Sequence, residues 1–384
     1  MSYDAVIVGG GIIGCTTAYF LSRAGMRVAL LERGALARGT TGNSFAWANA
    51  STKTADAAYH RLNAAGVAGF RTLAAEFGAE TLGIHETGAI QVVSRSDGPG
   101  FRAMQDDFAA LRGFGYPCRW LDGEALAAEA RGLTLPEGAE ALLLPADLVI
   151  DAPRFTNAIA EAARSGGAVI GENCPALALA ADDDGTVKGI ETADGMIAAP
   201  RVIVAAGADT GRVLAELTGF DAFATRFPLR EVPGLLLTTP PLEQNPIRRL
   251  IYTSTTDELH LLPAPGGGIR IGSDDVDGAI WEDRSEASMR RGGAALLKRA
   301  GRIVPGLSDR VTLDDCTLQV GVRPYPQDGK AIIGPLPGAE ELYVLATHSG
   351  ITLAPAIAAH MPALVHGQTP PDLAPFGLGR FPGF

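Results

Sequence analysis

DAVIVGGGIIGCTTAYFLSRAGMRVALLER, Asp4 to Arg33, decides the fold of this chain. Asp4 to Val8 is a short apolar run, followed by Gly9, Gly11 and Gly14 in a G-x-G-x-x-G spacing. A helical stretch comes next, and Glu32 closes a second apolar run, Val28 to Leu31. Strand, glycine turn, helix, strand and terminal acid fall in register, as in the dinucleotide-binding βαβ unit. Gly9 permits the tight turn, Gly11 lets the backbone approach a pyrophosphate, and Gly14 lets the helix lie close on the strand. The helix, opening near Ile12, offers unpaired N–H groups and its positive dipole end to the phosphates. Glu32 can accept hydrogen bonds from ribose hydroxyls. Its charge would repel a 2′-phosphate, which argues against NADP.

The rest of the chain sets bounds. Its 384 residues suffice for two intimately packed domains. With 43 acidic against 32 basic residues the net charge is −11, and no Lys/Arg-rich run occurs, so nucleic acid is not an expected partner. Apolar stretches are strand-length or broken by glycine, so no membrane span is expected. The first strand starts a few residues after Met1, leaving no room for a signal peptide, and a cytoplasmic location is expected. Cys15, Cys118, Cys174 and Cys316 show neither redox nor metal-ligand spacing, so no metal site is expected.

Helical periodicity runs through 12–24, 57–78, 99–113 and 285–304. Short strands dominate 84–94 and 226–280. Asp184–Gly185 and Asp194–Gly195 read as hairpin turns. Between the first two helices lies Gly39 to Thr54, too poor in large apolar residues for ordinary core; long loops of this kind are usually functional. The alternation predicts an α/β fold in which one domain is assembled from 1–84, 146–224 and 321–384. A second, α+β domain on a mixed or antiparallel sheet is inserted as 85–145 and 225–320.

Three later segments complete a family likeness. Val202 to Asp209 (VIVAAGAD), Gly321 to Gly334 (GVRPYPQDGKAIIG) and Leu342 to Pro355 (LYVLATHSGITLAP) follow the opening unit in order. Together they resemble the D-amino-acid oxidase superfamily of FAD enzymes, near the glycine and sarcosine oxidases. Ala331 stands where the family pattern has proline. The resemblance implies a Rossmann-like domain holding FAD rather than NAD, and oxidation of a C–N bond by hydride transfer to flavin N5. The cofactor then carries the hard chemistry while the protein positions the substrate.

The likeness also assigns residues. Arg323 matches the arginine that pairs with a substrate carboxylate, a task suited to a planar guanidinium. His348, Ser349, Gly350, Ile351 and Thr352 match the loop and helix start at the N1–C2=O edge of the flavin. An ordinary helix cap by Thr352 is the plain alternative. Thr40, Thr41, Asn43 and Ser44 resemble the loop over the pyrophosphate and ribityl chain, with Trp47 either a pocket wall or a buried core residue. Ala206 and Gly207 close on the cofactor, and Arg33 lies near the adenosine ribose.

On the substrate side, His260 replaces the tyrosine that glycine oxidases carry, which puts simple glycine in doubt as the substrate. Tyr252 is a second pocket candidate, and Asp274 and Asp275 either face the pocket or are exposed turn acids. Asp328 and Gly329 read as a structural turn. Cys316 lies too early to match the cysteine that attaches flavin in sarcosine oxidases, so non-covalent FAD is expected.

The expected substrate is a small amino acid or N-alkyl amino acid, whose imine product hydrolyses. Either O2 or another acceptor takes the electrons, and a homo-oligomer is compatible with the chain. A 2-hydroxy-acid dehydrogenase, a subunit of a heteromeric amine or opine oxidase, and a non-catalytic flavin-binding protein are the alternatives.

Overall fold

The computed structural model describes residues 2–183, 185–253 and 258–384. Asp184, half of one expected turn, lies outside the described residues; the strands around it, Ala178–Ala181 and Val187–Thr192, pair antiparallel.

Strands Ala5–Val8, Val28–Leu31 and Val202–Val204 are buried at every position, as their uninterrupted apolar sequences require of a sheet covered on both faces. They lie in a six-stranded sheet. Its spatial order is Ile332–Leu336, Ala339–Ala346, Val202–Val204, Ala5–Val8, Val28–Leu31 and Val169–Gly171. Every neighbouring pair is parallel except Ile332–Leu336 with Ala339–Ala346. Chain order reverses around Ala5–Val8, which has Val28–Leu31 on one side and Val202–Val204 on the other. Such a switch point opens a crevice at the carboxyl ends of the strands, where the glycine turn sits.

Helix Ile12–Arg23 packs on this sheet with Ala152–Ser165 and Gly350–Leu364. Helix Ala57–Phe77 lies against Gly350–Leu364. The Pro/Gly-rich end of the chain is ordered: Leu373, Phe376 and Leu378 are buried, and Arg380 grips Asp328 with two hydrogen bonds of 2.8 and 3.1 Å.

An eight-stranded sheet faces this domain. Its order is Thr317–Pro326, Leu229–Thr238, Ile269–Gly272, Leu259–Pro263, Leu250–Thr253, Ala89–Ser94, Ala139–Leu144 and Arg119–Leu121. Only Leu250–Thr253 with Ala89–Ser94 is parallel. Strand Thr317–Pro326 straddles position 321 and pairs along its whole length with Leu229–Thr238. It thereby carries Arg323 on the sheet's edge strand while its sequence continues into the dinucleotide-binding sheet.

One element departs from the expectation. Asp274 and Asp275 are neither strand end nor turn; they open the helix Asp274–Glu282. Its sequence, DDVDGAIWE, is rich in aspartate and contains glycine, both poor helix formers. Packing decides it. Val276 and Ile280 are buried in the core of the large sheet, and Asp277 Oδ1 accepts the Leu235 N–H at 2.8 Å.

Candidate active site

The cofactor end is built mainly from backbone. Gly9 has φ +117, and a Cβ there would lie 2.4 Å from the Ala205 carbonyl oxygen; at Gly14 it would lie 1.9 Å from that of Gly9. Both glycines are therefore required by the close approach of chain to chain. Glu32 is fixed by its own hydrogen bonds, Oε2 accepting from Gly10 N at 2.7 Å and Oε1 from Gly34 N at 2.8 Å. A carboxylate has about four acceptor positions, so two remain for a ribose.

Helix Ile12–Arg23 starts at Gly11 without a side-chain cap of its own, and helix Gly350–Leu364 starts at Ser349 equally uncapped. Asp56, Asp97, Asp151 and Ser285 cap other long helices through their side chains. Apart from the Ile12 N–H, which Thr41 accepts, the N-terminal donors of these two long helices are thus left to a ligand or water, one set at the glycine turn and one at the loop 348–352. Gly207, with φ +60, turns the chain after Val202–Val204, with Ala206 before it. Backbone donors, an anchored acid and a glycine-lined turn fit an FAD, with no bulky side chain intruding at Gly9 or Gly14.

The loop residues divide. Thr41 Oγ1 accepts from Ile12 N at 3.1 Å, which puts a hydroxyl at the phosphate end of the first helix. Thr40 donates instead to the Val322 carbonyl at 2.6 Å, and Ser44 to that of Thr41 at 3.0 Å. Asn43 donates to Arg38 and Gly39 carbonyls at 3.3 and 3.0 Å. These three brace the loop, and Thr41 alone of the four meets the helix start. Arg33 forms a 2.7 Å ion pair with Asp209 at the surface.

Thr352 is not the helix cap. Its Oγ1 accepts from Asn49 N at 3.2 Å and lies 3.5 Å from the Trp47 carbonyl oxygen, latching the loop 47–49 onto the helix start. Ala46 in this loop adopts φ +63, a left-handed conformation costing a non-glycine residue about 1–2 kcal/mol. The fully buried Asp147 clamps the same loop. It accepts from Trp47 Nε1 at 3.0 Å, Ser51 Oγ at 2.7 Å and Tyr116 Oη at 2.7 Å. Burial still outweighs these donors and pushes its carboxyl up to about 6.

Trp47, so held, faces Tyr252 with ring centroids 6.1 Å apart. Tyr252 lies 4.7 Å from the His260 ring, which lies 5.8 Å from Phe45. Opposed strands Leu250–Thr253 and Leu259–Pro263 put Tyr252 and His260 in direct register. His260 Nε2 is 3.3 Å from Glu258 Oε1 but misaligned for a hydrogen bond. Trp47, Tyr252 and His260 thus form one aromatic wall.

Arg323 arrives from the adjoining edge of the sheet. Its Nη2 lies 2.6 Å from Asp277 and its Nη1 3.1 Å from Asp274, both on the helix Asp274–Glu282. Asp277 is buried; burial overcomes the attraction of Arg323 and pushes its carboxyl up to about 7. Asp274 is exposed. Asp275 turns the other way, into a 2.6 Å ion pair with Arg299 that holds its carboxyl down at about 2. Asp274 and Asp277 are therefore the acids that meet Arg323, and Asp275 is turned to Arg299. Residues 274, 275 and 277 separate because successive helical residues point about 100° apart.

His348 stacks on Tyr325 with centroids 4.5 Å apart, and its Nε2 lies 3.3 Å from Ser349 Oγ, which accepts from the Tyr59 hydroxyl at 3.1 Å. Its Nδ1 is buried with no partner among the described residues. Burial, then the charges of Lys53 and Arg323, push its pKa down to about 3, so the ring is neutral at physiological pH. Lys53, Asp147 and Asp277 escaped the sequence reading. Each is an ordinary polar residue in a loop or weak helix, and only the fold gives it a neighbour worth naming. Among the described residues no group of three His, Cys, Asp or Glu is placed to hold a metal ion, and no helix is long and apolar enough to cross a membrane.

Comparison with known proteins agrees with this geometry. The family model described as FAD dependent oxidoreductase (DAO) matches residues 4–364. The glycine oxidase of Geobacillus kaustophilus (strain HTA426) is 29% identical over 393 residues, covering 99% of this chain and 98% of that protein. A crystal structure of glycine oxidase from Geobacillus kaustophilus superposes with a TM-score of 0.83 at 25% identity, over 100% of both chains. The L-proline dehydrogenase of P. horikoshii shares the fold, with a TM-score of 0.84 at 21% identity over 99% of this chain and 98% of that one. The glycine turn and the uncapped helix starts accordingly sit in a chain that belongs to the DAO family of FAD-dependent oxidoreductases.

Proposed function

We propose that this enzyme oxidises the C–N bond of a small amino acid or N-alkyl amino acid to an imine, which leaves and hydrolyses in water. The observation that carries the reading is the convergence of Arg323, from the edge strand, with His348, at the uncapped helix start, beside the wall of Trp47, Tyr252 and His260. The likeness to glycine oxidases supports it. FAD, held without a covalent bond, supplies the two-electron acceptor for hydride removal from the substrate α-carbon. Cys316 suits this non-covalent reading: its thiol donates to the Thr312 carbonyl at 3.3 Å, and burial pushes its pKa up to about 11.

The chain's own residues bind and orient. Arg323 takes the substrate carboxylate by exchanging the exposed Asp274, while buried Asp277 keeps the guanidinium in place. His348, neutral and buried, keeps its Nδ1 without a protein partner among the described residues, so that it can hydrogen-bond the substrate or the flavin. The aromatic wall excludes water from the reacting carbon. Glu32, Thr41, the Gly9–Gly14 turn and the Ser349–Thr352 helix start hold the dinucleotide and the flavin edge. In this division of labour, segments 1–84, 146–224 and 321–384 carry the cofactor, and 85–145 and 225–320 form most of the substrate side.

Anaerobic mixing with L-, D- and N-methyl amino acids, following the visible absorbance of the flavin, tests the proposal. Bleaching by at least one amine is expected. Bleaching by 2-hydroxy acids and by no amine would overturn it.

A further inference from the structure

Ser349 stands where a helix usually takes its cap, yet it does not cap. Serine is among the best N-cap residues, its hydroxyl ordinarily accepting an N–H of the first turn. At the start of Gly350–Leu364 that bond is absent. The hydroxyl is drawn sideways instead: Ser349 Oγ accepts from the Tyr59 hydroxyl at 3.1 Å and lies 3.3 Å from His348 Nε2. Tyr59 is itself buried, in the first turn of the helix Ala57–Phe77, where Asp56 accepts its N–H at 2.8 Å.

The supply of protons sets the direction of these bonds. A tyrosine hydroxyl has one proton, and among the described residues its hydrogen-bonded acceptor is Ser349 Oγ. Ser349 has one hydroxyl proton as well, and among the same residues His348 Nε2 is the acceptor left to it. A nitrogen that accepts carries no hydrogen, so the ring is neutral and its single N–H sits on Nδ1. Burial and nearby cations, which push the ring's pKa down, agree. Nδ1 is buried and has no partner among the described residues. Leaving an N–H so placed is costly unless a ligand supplies the acceptor.

Contacts bring this ring to the paired helix starts. His348 stacks on Tyr325 with centroids 4.5 Å apart. Gly321, Arg323 and Tyr325 alternate along the strand Thr317–Pro326 and share one of its faces. On that face a Cβ at Gly321 would lie 2.0 Å from the Asn43 carbonyl oxygen, so the strand rests on the loop whose Thr41 meets the first helix. A Cβ at Gly350, two residues after His348, would lie 3.5 Å from Ile13 Cδ1, so the two uncapped helix starts are side by side.

We infer that Tyr59 and Ser349 are positioning residues whose hydroxyls hold His348 as the Nδ1–H tautomer, a fixed hydrogen-bond donor to an acceptor atom of the bound flavin or of the substrate carboxylate. The inference deepens the amine-oxidising reading above and rests on its placement of flavin and carboxylate at this end of the crevice. A ring free to exchange tautomers is competent in only one of them, which weakens its contact in proportion. The relay removes the competing form before the ligand arrives.

Nitrogen NMR of the FAD-loaded enzyme carrying isotope-labelled histidine reads the tautomer, with His348→Gln assigning the signal by its loss. The parent enzyme is expected to show Nδ1 protonated and Nε2 bare. Ser349→Ala should let the Nε2–H form appear, and Ser349→Thr, which keeps a hydroxyl, should restore the parent pattern. Two further readouts of Ser349→Ala tell the acceptors apart. A donor to the flavin favours its reduced, anionic form, so its loss should shift the reduction equilibrium about tenfold, lowering the potential by about 30 mV. A donor to the carboxylate should instead leave acetate binding about tenfold weaker. Tyr59→Phe, whose remaining serine hydroxyl can turn either way, should give about a twofold loss with mixed tautomers. Its NMR pattern decides the matter if Ser349→Ala does not retain FAD. An Nε2–H ring in the parent enzyme, a tautomer unchanged in both variants, or a potential and acetate affinity both unmoved in Ser349→Ala overturns the inference. None of these readouts needs turnover. A tautomer that depends on Ser349, without bleaching by any amine, would therefore strike the amine-oxidising reading and not the relay, whereas amine turnover by an enzyme with an Nε2–H ring would do the reverse.

Discussion

The two ends of the crevice are built on opposite principles. At the dinucleotide end, recognition falls mostly to main-chain N–H groups, two glycines and one acid, all within Gly9 to Glu32. At the end proposed for the substrate, side-chain charges meet instead, with Arg323, Asp277 and His348 coming from distant segments. A backbone site tolerates almost no added atoms but is nearly indifferent to charge. A charged site tolerates changes of shape but depends on each charge keeping its counterpart.

The largest effect is expected where the backbones touch. Gly14→Ala places a Cβ 1.9 Å from the Gly9 oxygen and should cost about 3 kcal/mol or more in unfolding free energy, with loss of bound FAD, measured by thermal melts and flavin content. Normal FAD content in this variant would show that the turn is not as tight as described.

Next comes the charge pair. Arg323→Met removes the carboxylate partner and leaves Asp277 buried with one backbone donor, so kcat/KM should fall about 100-fold. A substrate-independent loss of stability without any change in KM would instead make Arg323 purely structural.

A smaller, pH-dependent effect follows from Asp277. Its folded-state pKa, about 7, lies above the ordinary value of 3.8, so the native state takes up this proton first. Its ionised form therefore costs stability, fully above about 7, and the cost is relieved progressively as pH falls from there toward 3.8. Protonation also frees Arg323 of one counter-charge, so acetate should bind more tightly at pH 6 than at pH 8. Asp277→Asn should flatten that dependence, read from the flavin spectrum. An unchanged slope in the variant would assign the titration to another group.

The smallest expected effect is a gain. Ala46→Gly relieves a left-handed alanine and, after the extra freedom of the unfolded chain, should raise stability by about 0.5 kcal/mol in a denaturant titration. No gain would mean that the Ala46 methyl contributes packing equal to its strain.

Legibility followed the same divide. The sheet domain, the glycine turn, Glu32 and the helix starts could be read because each depends on short, regular spacings. The donors of Thr40, Asn43 and Ser44 serve carbonyls of the loop itself and of Val322, pairings set by local geometry that no spacing announces. That Asp277 rather than Asp275 meets Arg323 is not legible in the sequence, because the helix Asp274–Glu282 has weak local propensity and is stabilised by burial of Val276 and Ile280.

By itself, then, the sequence determined a dinucleotide-binding α/β frame, because strand period, helix period and glycine spacing are local properties, and its motifs carried the likeness to a family of FAD-dependent oxidoreductases. The tertiary structure alone decided which groups meet: Arg323 with Asp277, Asp275 with Arg299, and His348 with Tyr325. Those pairings depend on distances between segments remote in the chain, and Coulomb forces and desolvation act on distance, not on order along the sequence.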